Sequence, residues 1–137
     1  MSRYVLDACA LLAVLNDEDG GKAVNDIIEQ AANNSTVVRM SIVNLLEVYY
    51  GILREYGEDF AENVIADINE SPIEIIDTIS ENVFKEAGRL KATYKISLAD
   101  SFALAESSIS GYELLTTDRH EFDVIENQEP IVFHWVR

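Results

Sequence analysis

Four acidic residues of this 137-residue sequence lie within or directly after apolar segments, where an acidic side chain is unexpected unless it has a role. They are Asp7, Glu47, Asp100 and Asp118. Four carboxylates that share one pocket repel each other, and their pKa values rise unless a cation neutralises them. Carboxylate oxygens select Mg²⁺ or Mn²⁺ rather than Zn²⁺, and such an ion can polarise a phosphodiester and activate water for hydrolysis.

Each acidic residue also has a structural explanation when it is taken alone. Asp7 precedes an Ala/Leu-rich segment and could cap a helix, while Asp100 follows Ser97 at the spacing of a capping box. Glu47 could lie at a solvated rim, and Asp118 could form a turn. The joint placement of all four is harder to explain structurally, so a shared site is the sharper hypothesis.

The elements that would position these residues alternate between short β-rich runs and stretches with helical spacing. Strands are predicted at residues 4–7, 36–40, 73–76, 113–117 and 131–135. Ser41, Ser80 and Ser97 are predicted to cap helices between them. This alternation predicts a parallel α/β sheet with right-handed crossovers, in one domain long enough for helices on both faces. Asp7 and Asp118 would then follow strands at the same edge of the sheet.

Composition restricts the partners that the protein could bind. Ten Lys and Arg residues against 25 Asp and Glu residues leave a formal net charge of −15, which disfavours broad phosphate binding and suits cations or a basic partner. The single cysteine, Cys9, excludes an internal disulfide, and we expect it to be a small buried apolar side chain. No apolar run is long enough to cross a membrane and no secretory pattern is present, so a cytoplasmic protein is expected.

Four short segments, in order along nearly the whole chain, carry a family resemblance. They are Val5-Leu6-Asp7 before the Ala/Leu-rich helix, residues 41–47 followed by Gly51, residues 98–105, and residues 114–118 with His120 and Phe122 soon after. None of them is specific alone. Together they resemble the PIN-domain ribonucleases, in particular the VapC-type toxins of toxin–antitoxin pairs.

The resemblance implies a single PIN-like domain over residues 1–137, an α/β/α sandwich with a central, mainly parallel sheet of four to five strands. It implies an endoribonuclease that depends on Mg²⁺ or Mn²⁺, in which Asp7, Asp100 and Asp118 bind the metal most directly. Glu47 would complete the metal shell or orient the attacking water. Members of the family are commonly homodimers, and a cognate antitoxin inhibits them by placing a C-terminal segment in the acidic groove.

Two further groups of residues follow from the resemblance. Thr116 or Thr117 would hold the metal ligands in place. Many relatives carry Ser or Thr just after the first aspartate, whereas this chain has Ala8 and Cys9, so the support of the ligands differs here. The candidate RNA contacts are the basic residues Arg39, Arg54, Lys91, Lys95 and Arg119.

Two other functions stay open at this point. A PIN-like module could bind RNA or protein without cutting, although the presence of all four acidic residues counts against it. A phospho-accepting receiver domain is also acidic, α/β and magnesium-dependent. It would need a lysine at a late strand end, and no lysine follows Lys95.

Overall fold

Five strands and seven helices make up residues 1–136, the part of the chain that this computed structural model describes. Arg137, the last residue of the predicted 1–137 domain, lies outside it. The strands are β1 (Ser2–Leu6), β2 (Thr36–Ser41), β3 (Glu74–Ile76), β4 (Glu113–Thr116) and β5 (Phe133–Trp135). The helices are α1 (Ala8–Leu15), α2 (Gly21–Ala32), α3 (Ile42–Tyr56), α4 (Glu58–Glu70), α5 (Glu81–Thr93), α6 (Leu98–Ser110) and α7 (Arg119–Gln128).

The strands form one parallel sheet in the order β3-β2-β1-β4-β5. Strand β1 is central, and in its pairing with β4 Leu6 lies opposite Leu115. The chain leaves β1 towards β2 but leaves β4 towards β5, so the strand order reverses between β1 and β4. Open α/β sheets bind ligands at such a switch point, beyond the carboxyl ends of the strands. The predicted parallel sheet is confirmed, with five strands.

Helices cover both faces of the sheet because successive strand residues point to opposite faces. Tyr4, Leu6 and Leu115 pack on one face with α1, α2, α3 and α4. Val5 and Leu114 pack on the other face with α5, α6 and α7. These three layers confirm the α/β/α sandwich. Within residues 1–136, no helix has the length and apolar character needed to span a bilayer.

The helix starts predicted from serine residues are confirmed, because the three caps are Ser41, Ser80 and Ser97. The Ser97 Oγ accepts a hydrogen bond from the Asp100 N–H at 3.0 Å. Caps of this kind satisfy N–H groups that have no partner inside the helix. They therefore set where α3 and α6 begin, and with that where Glu47 and Asp100 lie.

The last helix, α7, is not predicted by the sequence analysis. Phe122 and Ile125 are its buried residues, so the segment has few apolar positions and is mostly polar. Packing of these two side chains with α5 and α6 completes the helix. Helix α7 matters for the site because it begins directly after Asp118, whose Oδ1 accepts the Glu121 N–H at 3.2 Å.

Candidate active site

A cleft of about 540 Å³ opens at the carboxyl end of the sheet, bounded by residues of α1, α3, α5, α6 and α7. Its acidic lining residues are Glu47, Asp100, Asp118 and Glu121. Three of the four predicted acidic residues thus line one cleft. The fourth, Asp7, is buried beside it, close enough for the charges of Asp100 and Asp118 to act on it.

Asp7 is the most deeply buried of these acidic side chains, at 1% exposure. Its Oδ1 caps α1 by accepting the Ala10 N–H at 2.8 Å. Its Oδ2 is buried and has no hydrogen-bond partner among the described residues. Burial raises the pKa of Asp7 to about 7, although the Thr116 hydroxyl and the Ala10 N–H act in the opposite direction. An unpartnered buried carboxylate oxygen is costly, and a cation is the ligand that would satisfy it.

Asp100 lies in the first turn of α6, and Glu47 lies in α3 at the same cleft. Burial raises the pKa of Asp100 to about 6, against the lowering effect of its hydrogen bond with Ser97. The charges of Glu47, Glu121 and Asp118 raise that pKa further. Burial also raises the pKa of Glu47. The cleft therefore disfavours negative charge in the absence of a cation.

The residues between β4 and α7 hold Asp118 and Asp7 in place. Thr116 is fully buried, and its Oγ1 accepts the Asp118 N–H at 3.1 Å. Because the same hydroxyl also lowers the pKa of Asp7, Thr116 interacts with both aspartates. Thr117 is buried too, but it lines a smaller neighbouring depression together with Cys9 and Asp118.

Cys9 differs from the buried apolar residue expected from the sequence. It is only partly buried, it lines the cleft, and its Sγ lies 3.8 Å from Asp118 Oδ2. Burial raises the pKa of the thiol, and the charges of four carboxylates raise it further. These four are Asp7, Asp118, Asp100 and Glu47. Cys9 thus lies within electrostatic reach of every acidic residue of the predicted site, three of which line the same cleft.

Asn44 joins α3 to α6, and the sequence analysis does not single it out. It has no exposed surface, and its Nδ2 donates a hydrogen bond to the Ala99 carbonyl oxygen at 3.1 Å. Glu47 follows Asn44 by about one helical turn and Asp100 directly follows Ala99, so this bond sets the spacing of two site residues. In the sequence, the only indication of this role is that Asn44 is an uncharged polar residue between the apolar residues Val43 and Leu45.

We expect Asn44→Ala to lower the free energy of unfolding by about 1–3 kcal/mol, because the buried Ala99 carbonyl loses its side-chain donor. Urea denaturation followed by circular dichroism measures the change. Asn63→Ala, at an exposed position of α4, is the matched control and should stay within about 0.5 kcal/mol of the parent protein. Equal effects of the two substitutions would mean that the Asn44 bond does not stabilise the fold.

Glu121 is a fifth acidic residue at the cleft, and it too was missed. It lies in the first turn of α7, and its charge raises the pKa of Asp100. Glu121 could have been recognised from its position three residues after Asp118, because this is the spacing of a capped helix start. This spacing went unused because α7 itself was not predicted.

Comparison with known proteins decides the family. A family model described as the PIN domain matches residues 4–127, which include all four predicted acidic residues. The chain belongs to the PIN domain family. The resemblance found in the sequence is confirmed at this level. No curated protein sequence gives a significant match.

Solved structures with the fold of this PIN domain include toxin–antitoxin proteins. VapBC2 from Rickettsia felis, bound to a promoter DNA fragment, has a TM-score of 0.73 at 20% identity, covering 98% of this chain and 99% of the other. DNA-bound VapBC from Salmonella typhimurium has a TM-score of 0.73 at 16% identity, covering 100% of both chains. VapC20 from Mycobacterium tuberculosis, a Sarcin-Ricin loop cleaving toxin, has a TM-score of 0.66 at 14% identity, covering 90% and 95%. At such low identity the likeness shows a shared fold.

The predicted basic contacts of this PIN domain divide into two groups. Lys91 and Lys95 line the cleft, and Arg119 directly follows Asp118, where its guanidinium lies 4.5 Å from the Trp135 ring centroid. The other two basic residues, Arg39 and Arg54, do not line the cleft.

Arg39 and Arg54 each have contacts elsewhere in the fold. Arg39 pairs with Glu74 at 3.8 Å and lies over the Tyr112 ring, which places it towards the amino ends of β3 and β4. Arg54 lies over the ring of Tyr50 on α3. Of the five predicted basic residues, Lys91, Lys95 and Arg119 therefore lie at or next to the cleft, whereas Arg39 and Arg54 lie away from it.

The donor set of the cleft fits a divalent cation, although the side chains are spread apart. Among residues 1–136, no three His, Cys, Asp or Glu side chains are grouped tightly enough to hold one ion. The donors are carboxylate oxygens, and the buried Asp7 Oδ2 lacks a partner. Hard cations such as Mg²⁺ and Mn²⁺ match such donors.

Proposed function

We propose that this PIN domain is a VapC-type toxin, an endoribonuclease that hydrolyses RNA phosphodiester bonds with Mg²⁺ or Mn²⁺. The observation that carries the proposal is the convergence of Asp7, Glu47, Asp100 and Asp118 around one cleft, with the buried Asp7 Oδ2 left without a partner. Membership of the PIN family and the shared fold with VapC proteins support it.

We propose a separate role in this reaction for each residue of the site. Asp7, Asp100 and Asp118 would hold the cation, and Glu47 would complete the shell or orient the attacking water. Bound there, Mg²⁺ or Mn²⁺ neutralises the carboxylates, polarises the phosphodiester and lowers the pKa of water. Thr116 keeps Asp118 and Asp7 in position through its hydroxyl.

Substrate RNA must approach a protein with a formal net charge of −15. Lys91 and Lys95 lie on the wall of the cleft, where they can contact phosphates of a bound RNA. The carboxylates would repel the RNA backbone less once they held a cation. We therefore assign Lys91 and Lys95 to RNA binding, with Arg119 as a further contact at the same edge.

The double substitution Lys91→Ala/Lys95→Ala should weaken RNA binding and make it less sensitive to salt. Each lost phosphate contact lowers the slope of log affinity against log salt by about 0.7 for a single strand. Binding is measured by fluorescence anisotropy with Mn²⁺ present, in an Asp100→Asn background that suppresses cleavage. Lys22→Ala, at an exposed position of α2, is the control. If the slope of log affinity against log salt is unchanged in the double variant, these lysines do not contact the RNA.

The partners that we propose are a cognate antitoxin and a second copy of the chain. The solved VapBC structures hold toxin and antitoxin together, and an acidic cleft is electrostatically matched to a basic inhibitory segment. A homodimer is proposed by analogy with the family. We propose a cytoplasmic location, because such a substrate and such partners occur there.

The test is cleavage of a total RNA pool by the purified protein with Mn²⁺, with Mg²⁺ and with EDTA. Discrete fragments that form only with a metal are expected. A folded protein that binds Mn²⁺, measured by electron paramagnetic resonance, and yet leaves every RNA of the pool intact would favour a PIN-like module that binds RNA or protein without cutting.

A further inference from the structure

The thiol of Cys9 gives this cleft a donor that Mg²⁺ and Mn²⁺ do not need. We propose that the site also binds a thiophilic divalent cation, Zn²⁺ in particular, through Cys9 Sγ and Asp118 Oδ2, and that Zn²⁺ bound there displaces Mg²⁺ or Mn²⁺ and stops catalysis. The displacement rests on the proposed metal-dependent function. The sulfur ligation rests on the structure alone.

The distance between the two donor atoms fits ligation of one ion. Cys9 Sγ lies 3.8 Å from Asp118 Oδ2. Zinc–sulfur and zinc–oxygen bonds of about 2.3 and 2.0 Å at a tetrahedral angle separate the two ligand atoms by about 3.5 Å. A shift of a few tenths of an ångström in either side chain therefore lets both atoms bind the same Zn²⁺.

A second observation is a buried carboxylate oxygen near these two donors, which a cation would satisfy. Asp7 Oδ2 is buried without a hydrogen-bond partner among the described residues, and Asp7 lies within electrostatic reach of both Cys9 and Asp118. Asp7 or Asp100 would supply a further oxygen ligand by moving closer to the ion, and water can fill a remaining position. The thiol binds as the thiolate, and its proton leaves to solvent when the ion enters.

Sulfur changes which cation the cleft prefers. A site made of carboxylates alone suits Mg²⁺ and Mn²⁺, whereas a thiolate favours Zn²⁺, and Zn²⁺ also exceeds Mn²⁺ in intrinsic affinity for most mixed sites. Because a tetrahedral Zn²⁺ would occupy the same carboxylates that hold the catalytic cation, the two ions exclude one another. Free Zn²⁺ would then set how much of the protein is active.

Cobalt is the direct probe of sulfur ligation, because Co²⁺ replaces Zn²⁺ and gives a strong near-ultraviolet charge-transfer absorption when a thiolate binds it. The chain has one cysteine, so such an absorption can arise only from Cys9. The full-length protein is titrated with Co²⁺ in buffer free of other thiols. We expect the charge-transfer absorption at one equivalent of Co²⁺ and its loss when Zn²⁺ is added.

Two variants and a second ion complete the design. Cys9→Ser keeps an oxygen donor and should lose the charge-transfer absorption, with Zn²⁺ affinity at least ~10-fold lower by isothermal titration calorimetry. Asp118→Asn should weaken Co²⁺ and Zn²⁺ binding. Mn²⁺ binding to the wild-type protein is measured in parallel by electron paramagnetic resonance, together with its displacement by Zn²⁺.

The outcomes separate this inference from the proposed function. If Mn²⁺ binds but Co²⁺ gives no charge-transfer absorption, Cys9 is not a ligand and the inference is wrong, while the carboxylate site stands. If the absorption forms but Zn²⁺ does not displace Mn²⁺, the two ions occupy different places and the exclusion is wrong. If neither Mn²⁺ nor Co²⁺ binds, the metal-dependent function fails together with the inference.

Discussion

Replacing Asp100 by Asn is expected to lower RNA cleavage at least ~100-fold while the protein stays folded. Loss of a side chain that only orients a metal ligand typically lowers metal affinity or activity 10–100-fold, and Asp100 is proposed as a ligand itself. Its cap does not depend on the carboxylate charge, because the Asp100 N–H donates to Ser97 Oγ. Single-turnover cleavage of RNA at saturating Mn²⁺ measures the loss, and circular dichroism checks the fold.

Asp67→Asn is the matched control for Asp100→Asn, because Asp67 is an exposed aspartate on α4. It removes the same charge from the protein and should leave cleavage within about twofold. If Asp100→Asn cleaves RNA as fast as Asp67→Asn does, Asp100 takes no part in catalysis and the assigned site is wrong. A loss confined to Asp100→Asn would exclude an effect of total charge.

The second large effect concerns stability, and it comes from Asp7. Its pKa is about 7 in the folded protein against 3.8 for an ordinary aspartate. The folded state therefore holds a proton more tightly than the unfolded state, so the contribution of Asp7 to stability is present at low pH and is lost as the pH rises from ~4 through 7. The full loss is about 4 kcal/mol, since one pH unit of difference is worth about 1.4 kcal/mol.

Asp7→Asn should remove this loss in the metal-free protein, because Asn caps a helix as well as Asp does and carries no charge. In EDTA, the variant should gain stability relative to the parent as the pH rises, by about 2 kcal/mol more at pH 8 than at pH 5.5. Urea denaturation at both pH values measures this difference. Comparing two pH values cancels any constant cost of the new amide group.

Saturating Mn²⁺ at pH 8 should stabilise the parent protein much more than it stabilises Asp7→Asn. A ligand that binds only the folded state stabilises it by about 2.7 kcal/mol at a hundred times its dissociation constant, and Asp7→Asn would lose most of this gain. Asp67→Asn again serves as the control and should follow the parent protein at both pH values. A difference between Asp7→Asn and the parent that stays constant with pH would contradict the burial of an ionisable Asp7.

The sequence by itself determined the features that depend on neighbouring residues. Strand and helix periodicity placed all five strands, and serine caps placed the starts of three helices, because caps and periodicity are local. The sequence also pointed to Asp7, Glu47, Asp100 and Asp118 as candidates for one site. Helix α7 was missed because it is mostly polar and has only two buried residues.

Only the tertiary structure decided how distant residues meet. The strand order β3-β2-β1-β4-β5 brings the ends of β1 and β4 together, and it thereby places Asp118 beside Cys9, which lies 109 positions earlier. The structure also shows Asn44 joining α3 to α6, and Arg39 directed towards the amino ends of β3 and β4. These contacts arise from packing across the fold, and burial and mutual charge then set the pKa values, so no short stretch of sequence contains them.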